Sequence, residues 1–172
     1  SSNDNNYREW ASNSLWTGDN QYKGLGIFAS QNIKLEKLDW KPRGLKYFIP
    51  CRVNAKFNLL GTWCYGGKLL KDYRYIGQLW KYLQLHKKKL GTAIIAGDFN
   101  SNVFWDRPRR HWNHSDVVRE FAELGIESVY HSFHKEEQGK ETQPTFIFQK
   151  NTAKHYHIDY IFGSNELIKN IR

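Results

Sequence analysis

Apolar and polar positions along the chain fall into two periods. Ile33–Leu38 alternates apolar and polar residues, as a half-buried strand does, and Phe57–Trp63 is a near-continuous apolar run that fits a buried strand. Gly24–Ala29 reads as a strand entered through a glycine turn. Tyr47–Val53 reads as another, with Pro50 marking an edge or a bulge. Thr92–Ala96 is a short buried strand. Tyr75, Ile76, Leu79, Trp80 and Leu83 fall on one face of a helix predicted from about Tyr73 to Leu90, where Gly91 stops it. Val117, Val118, Phe121 and Leu124 predict a second helix, with Ser115 or Asp116 as its N-cap and Gly125 as its stop. Ile126–Tyr130 reads as a short strand, and Thr145–Phe148 and His157–Phe162 as strands joined by a turn around Asn151. Residues 1–20 read as a polar loop with a short helix at Tyr7–Trp10. Strands and helices alternate irregularly, which predicts an α/β fold with mixed sheets. No repeat and no linker interrupts the pattern, so residues 1–172 read as one domain.

Composition narrows the class. A hydrophobic fraction of 40% is too rich for a disordered chain. No apolar run approaches the ~20 residues of a membrane-spanning helix, and no basic-then-apolar leader opens the sequence. Cys51 and Cys64 do not make a disulfide framework and are expected as reduced, buried thiols in a cytoplasmic protein. The chain has no Met and begins at Ser1, which predicts a lost start or a piece of a longer chain. A net charge of +9 with seven Trp and ten Tyr fits a polyanionic partner, because cations neutralise phosphates and aromatic faces stack on bases. The same charge also fits plain solubility. The basic clusters are local, at 86–89 and 107–111.

Candidate chemistry begins at residues 92–102. An apolar strand runs into Gly97 and presents Asp98 and Asn100 at its carboxyl end. Alternation puts both side chains on one face, roughly 7 Å apart at the backbone. A carboxylate beside a carboxamide suits a hard divalent ion and a phosphate oxygen; a strand-end Asx turn has the same composition. A second constellation, His157-Ile158-Asp159-Tyr160-Ile161-Phe162, puts His157 and Asp159 on the face opposite the apolar residues, where His157 is a candidate substrate contact. Trp105 and Arg107, Arg109 and Arg110 follow the first motif closely enough to line a cleft and to contact a nucleic-acid backbone. The pairs His111/His114, His131/His134 and His155/His157 have spacings that can bind zinc on a helix, but no Cys or Glu cluster accompanies them.

Gly97-Asp98-Phe99-Asn100, followed some 60 residues later by His157–Phe162, resembles the endonuclease/exonuclease/phosphatase family. Further segments match in order: Lys23–Phe28, Phe57–Trp63, Leu124–Ser128 and Gln143–Phe148. The resemblance covers nearly all of residues 20–165. It implies two packed mixed β-sheets flanked by helices, a four-layer DNase I-like α/β sandwich, and divalent-metal-dependent phosphate ester hydrolysis with Mg²⁺ or Mn²⁺. It assigns Asp98 to the metal and the attacking water, Asn100 to the phosphate, and Asp159 to the orientation of a catalytic histidine. Trp63 takes the place where many members put a Tyr or His near the phosphate.

The ends depart from the family pattern. The opening Asn and Gln-Glu motifs and the closing Ser-Asp-His motif are not found, so the fold is expected to be incomplete at both ends, with a central strand missing from each sheet. The remaining metal ligands are then expected outside these residues, and the chain alone to be inactive or nearly so. The intact protein is expected to be a bacterial, cytoplasmic nuclease acting on DNA rather than RNA, with no membrane partner. A phosphatase acting on a sugar, lipid or nucleotide phosphate, and a non-catalytic nucleic-acid-binding module, are the alternatives.

Overall fold

A computed structural model describes residues 9, 11–67, 73–151 and 153–169. Among the described residues, ten strands are formed. β1 (Ser14–Asn20) and β2 (Lys23–Phe28) make a hairpin, and β8 (Phe146–Ile147) and β9 (His155–Tyr156) a smaller one. β3 (Leu35–Lys37), β4 (Phe48–Val53), β5 (Phe57–Trp63), β6 (Ala93–Asp98), β7 (Ile126–Ser128) and β10 (Asp159–Ser164) build one six-stranded sheet in the order β3-β4-β5-β6-β10-β7. All its pairs are antiparallel except β5–β6, which the crossover through α1 (Ile76–His86) makes parallel. The helices α2 (His114–Glu123), α3 (Val129–His134) and α4 (Asn165–Ile168) complete the elements used here.

The main core lies between this sheet and α1 and α2. Leu60, Ala93, Ile95, Tyr160 and Phe162 of the sheet bury against Leu79 and Leu83 of α1 and Val117 and Phe121 of α2. Phe48 stacks on Tyr82 at 4.2 Å, and Phe99 on Phe162 at 5.6 Å. The β1–β2 hairpin covers part of the opposite face. A Cβ at Gly61 would lie 3.0 Å from the Ile27 side chain, so this glycine admits the hairpin. Mixed sheets packed face to face with helices outside is the arrangement the sequence predicts. The two sheets differ in completeness, however. The six-stranded sheet is uninterrupted, and among the described residues only the β1–β2 hairpin stands for the second.

Local departures have local causes. Residues 1–20 read as a loop, but Ser14–Asn20 is a strand, because pairing with β2, with Trp16 opposite Gly26, supplies what its weak alternation lacks. The helix expected at Tyr7–Trp10 falls, apart from Glu9, outside the described residues. α1 starts only at Ile76, since Tyr75 has φ 52° and ψ −125°, and it tightens into a 3₁₀ turn at Lys87–Lys89. α2 is capped by Asn113 rather than Ser115 or Asp116: the Asn113 amide donates to the Asp116 carboxylate at 2.7 Å in a capping box. Gly125 closes the helix with φ +67°, as expected. Ile126–Tyr130 is a strand for three residues only, after which Ser128 caps α3 and accepts from the His131 amide. Cys51 and Cys64 are free and buried, and burial pushes their thiols up to about 11 and about 12. Among the described residues, no helix is long and apolar enough to cross a membrane.

Candidate active site

The site begins where three strands end together. Asp98 closes β6, with Trp63 of β5 as its parallel register partner and Asp159 of β10 as its antiparallel one. Gly97 makes this possible. Its φ is +143°, and a Cβ there would sit 1.9 Å from the Thr62 carbonyl oxygen, so only glycine lets β5 and β6 approach so closely before the chain turns.

After Asp98 the backbone folds back on itself. Asn100 adopts φ 45°, its amide donates to Asp98 Oδ1 at 2.7 Å, and its Nδ2 donates to Asp98 Oδ2 at 2.6 Å. The expected pairing of carboxylate and carboxamide is therefore a direct contact. Asp98 is half-buried and its carboxyl is pushed up to about 6. Burial is the main cause and the charge of Asp159 adds to it. Hydrogen bonds from Asn100 and from the Trp63 indole pull the other way. Trp63 is thus a partner of the Asp98 carboxylate, and it also lies between Tyr47, at 4.7 Å, and Tyr65, at 5.0 Å. Tyr65 packs beside Trp63, with Lys23 Nζ over its ring at 4.4 Å.

The turn is held from beneath by a polar cluster that sequence reading missed. Asn102 is fully buried, and its Nδ2 donates to the Tyr160 hydroxyl at 3.1 Å, the His157 carbonyl at 3.2 Å and Glu141 Oε2 at 3.1 Å. Glu141 Oε1 in turn accepts from His131 Nε2 at 3.1 Å and the Gly139 amide at 3.0 Å. Burial raises the Glu141 carboxyl, but these donors outweigh it and hold the group below its ordinary value. His114 is buried beside this cluster, and burial takes it down to about 4. Nothing in the linear pattern couples Asn102 to Glu141, 39 residues away.

A cleft of about 890 Å³ opens beside Asn100. Trp105, Arg107 and Arg110, all singled out in the sequence, line it. Arg109 is exposed on the same loop but does not line the cleft. Arg74, Trp112, Tyr156, Phe146 and Phe148 also line it. Both phenylalanines are 41% exposed, because β8 pairs only with β9 and joins no larger sheet.

His157 goes elsewhere. The strand breaks at residues 157–158 and the side chain is buried, yet it lines a smaller pocket together with Asp159, the residue whose face alternation predicts it shares. Its Nδ1 bonds the Gln143 carbonyl at 2.8 Å, and its ring lies 4.4 Å from that of Tyr130. Asp159 itself is exposed. Among the described residues, no group of three or more His, Cys, Asp or Glu side chains is placed to hold a metal, so the histidine pairs form no zinc site. Asp98 and Asp159 form no ion pair among the described residues. A divalent cation at these carboxylates would offset the repulsion that helps raise Asp98, and the hard oxygen donors suit Mg²⁺ or Mn²⁺.

No family model and no curated protein sequence matches the chain. Solved structures do. A 3′-5′ exonuclease from Neisseria meningitidis matches with TM-score 0.61 and 16% identity, over 95% of this chain and 73% of that one. An AP endonuclease from Archaeoglobus fulgidus matches with TM-score 0.58 and 18% identity, over 91% of this chain and 68% of that one. A Neisseria 3′ phosphatase bound to a product DNA hairpin matches with TM-score 0.59 and 16% identity, over 91% and 68%. The chain therefore has the DNase I-like α/β fold that its motifs resemble.

Proposed function

We propose that the protein is a divalent-metal-dependent hydrolase of phosphodiester bonds in nucleic acid, with DNA as the substrate. The convergence of Asp98, Asn100 and Asp159 at one end of β6 and β10, beside an arginine-lined cleft, carries this reading. The net charge of +9 supports a polyanionic substrate. So does the fold shared with a 3′-5′ exonuclease and an AP endonuclease.

Asp98 orients and polarises the attacking water. The Asn100 carboxamide, which donates to Asp98 in the free protein, turns a donor to a non-bridging phosphate oxygen. Asp159 keeps the Asp98 carboxyl basic and, by resemblance to the family, orients a histidine supplied from outside these residues. Arg107, Arg109 and Arg110 neutralise flanking phosphates, and Trp63 holds Asp98. His157, away from the cleft, acts only by supporting the strand that bears Asp159. Asp98 would hold Mg²⁺ or Mn²⁺ together with further ligands, and the ion would supply charge stabilisation on the phosphate. The 172 residues alone are then weakly active at best. Reduced, buried Cys51 and Cys64 fit a cytoplasmic location.

The test is cleavage of labelled DNA by the full-length protein with Mg²⁺ or Mn²⁺. Asp98→Asn is expected to lower kcat by about a hundredfold or more, and a chelator to abolish turnover. Cleavage unaffected by both would refute the reading. Release of phosphate from 3′-phosphate DNA without internal cleavage would make the protein a phosphatase. DNA binding without cleavage by the unmutated full-length protein would make it a binding module.

A further inference from the structure

Asn100 needs support from outside its own turn. Its φ of 45° lies in the left-handed region, and such residues persist only where the surroundings hold them. Upstream, the Phe99 amide donates to the Ile158 carbonyl at 2.9 Å, and the Phe99 ring is fully buried. Downstream, the hold falls on Asn102, which is fully buried as well. Its Oδ1 accepts from the Phe104 amide at 3.3 Å and so caps the 3₁₀ turn Val103–Trp105. Its Nδ2 is left facing three acceptors: the His157 carbonyl, the Tyr160 hydroxyl and Glu141 Oε2.

Two of these acceptors belong to the segment that bears Asp159. The His157 carbonyl accepts from Asn102 at 3.2 Å and from the Tyr160 hydroxyl at 2.9 Å. Across the break, the Ile158 and Asp159 amides donate to Thr145 Oγ1 at 3.0 and 3.1 Å. Asn102 therefore ties the turn that carries Asn100 to the stretch that leads into Asp159. The third acceptor is charged. The Glu141 side chain is 2% exposed and its donors hold the carboxyl below its ordinary value, so Oε2 meets Asn102 as an ionised acceptor. A hydrogen bond to an ionised group is stronger than a neutral one. From one position, Asn102 thus donates to Glu141 and accepts from Phe104. An amide can do both, and a carboxylate of the same shape cannot.

We propose that Asn102, backed by Glu141, is a positioning residue for the phosphodiester hydrolysis, holding Asn100 and Asp159 in one arrangement without touching the substrate itself. The inference rests on the hydrolase reading given above and adds to it a residue that acts through others. Asn102 is buried and its polar atoms are engaged, so it offers a ligand nothing. Its effect falls on the geometry of the groups that meet the phosphate. Misplacing a reacting group by about 1 Å costs rate on the order of a hundredfold. Binding of DNA rests on other side chains, the arginines of the following loop, so loss of positioning falls on turnover rather than on affinity.

The experiment uses the full-length protein with Mg²⁺ and labelled DNA. Asn102→Asp keeps the shape and the acceptor for Phe104 but sets a carboxylate against Glu141. It is expected to lower kcat about tenfold or more while changing KM for DNA by less than about twofold. Adding Glu141→Gln puts an amide donor opposite that carboxylate and is expected to restore kcat to within about threefold of the parent. Glu141→Gln alone is expected to give no gain over the parent. Asn102→Ala removes the donor without adding a charge; the same split is expected, with no restoration by Glu141→Gln, and this variant carries the test if Asn102→Asp does not fold. Hydrogen exchange at the Asn100 amide, which donates to Asp98 Oδ1, reads the turn without turnover. It is expected to speed up in both Asn102 variants while exchange at Leu60, in the core of the sheet, stays as in the parent. Unchanged kcat in both Asn102 variants, a loss in a folded Asn102→Asp that Glu141→Gln does not restore, or equal acceleration of exchange at Asn100 and Leu60 would overturn the positioning role and leave the hydrolase reading standing. No cleavage by the parent protein would overturn both.

Discussion

Asp98 and Asp159 are direct register partners across the antiparallel pair β6–β10, and the charge of one raises the carboxyl of the other. Two strands far apart in sequence thus place a second carboxylate where its charge makes ionisation of Asp98 harder. Removing Asp159's charge relieves this. Asp159→Asn is expected to lower the Asp98 carboxyl in part, burial still holding it above its ordinary value, and to move the acid limb of the pH–rate profile to lower pH. Carboxyl chemical shifts followed by NMR titration check the same shift without turnover.

The raised Asp98 carboxyl also bears on stability. Its folded value, about 6, lies above the ordinary 3.8, so the folded state binds the proton more tightly than the unfolded state. Its favourable contribution is complete below about pH 4 and is lost as pH rises through about 6. At pH 7 the ionised group therefore costs stability. Asp98→Asn is expected to raise the urea midpoint at pH 7 by an amount worth about 1–2 kcal/mol, discounted for the group's partial exposure, and to change little below pH 4. A destabilised variant at pH 7 would contradict this.

Gly97 has no substitute. A methyl group there meets the Thr62 carbonyl oxygen at 1.9 Å, in a backbone conformation of φ +143° that other residues avoid. Gly97→Ala is expected to cost about 3 kcal/mol or more, or to prevent folding. Gly91→Ala is the control: φ is also positive, +55°, but the space is open, and a smaller loss is expected in the same urea titration.

Glu141 links the turn after Asn100 to the loop at 135–143. Glu141→Ala leaves His131 Nε2 and the Gly139 amide without their acceptor and takes one acceptor from Asn102. A loss of about 2–4 kcal/mol is expected, because buried donors without partners keep their full desolvation cost. Glu141→Gln retains an acceptor and is expected to lose less.

Arginine contacts to phosphate predict a salt signature. Log K for DNA is expected to fall linearly with log salt concentration, and Arg107→Ala to reduce the slope by about 1 without altering sequence preference. A slope unchanged by the substitution would place Arg107 away from the backbone.

Much of the fold was legible because burial sets period. The apolar run Phe57–Trp63 and the run into Gly97 both became neighbouring central strands, and the 3.6-residue face of α1 became its buried side. Ser14–Asn20 was not legible, since its strand depends on the partner it finds in β2. The break before Asp159 was not legible either. It buries the His157 side chain while leaving it in one pocket with Asp159, and the separate pairing of β8 with β9 leaves Phe146 and Phe148 half exposed.

The sequence by itself determined which residue types stand at the strand ends: a glycine, a carboxylate and an amide at 97, 98 and 100, and a second carboxylate at 159. Spacing along one strand and hydrophobic period are local quantities, so they survive without a partner. Only the tertiary structure decided that 98 and 159 share a register, that Asn102 reaches Glu141, and that aromatic and basic side chains from separate segments enclose one cleft with Asn100 on its wall. Those are relations between segments distant in the chain, set by strand pairing and packing, and no local pattern encodes them.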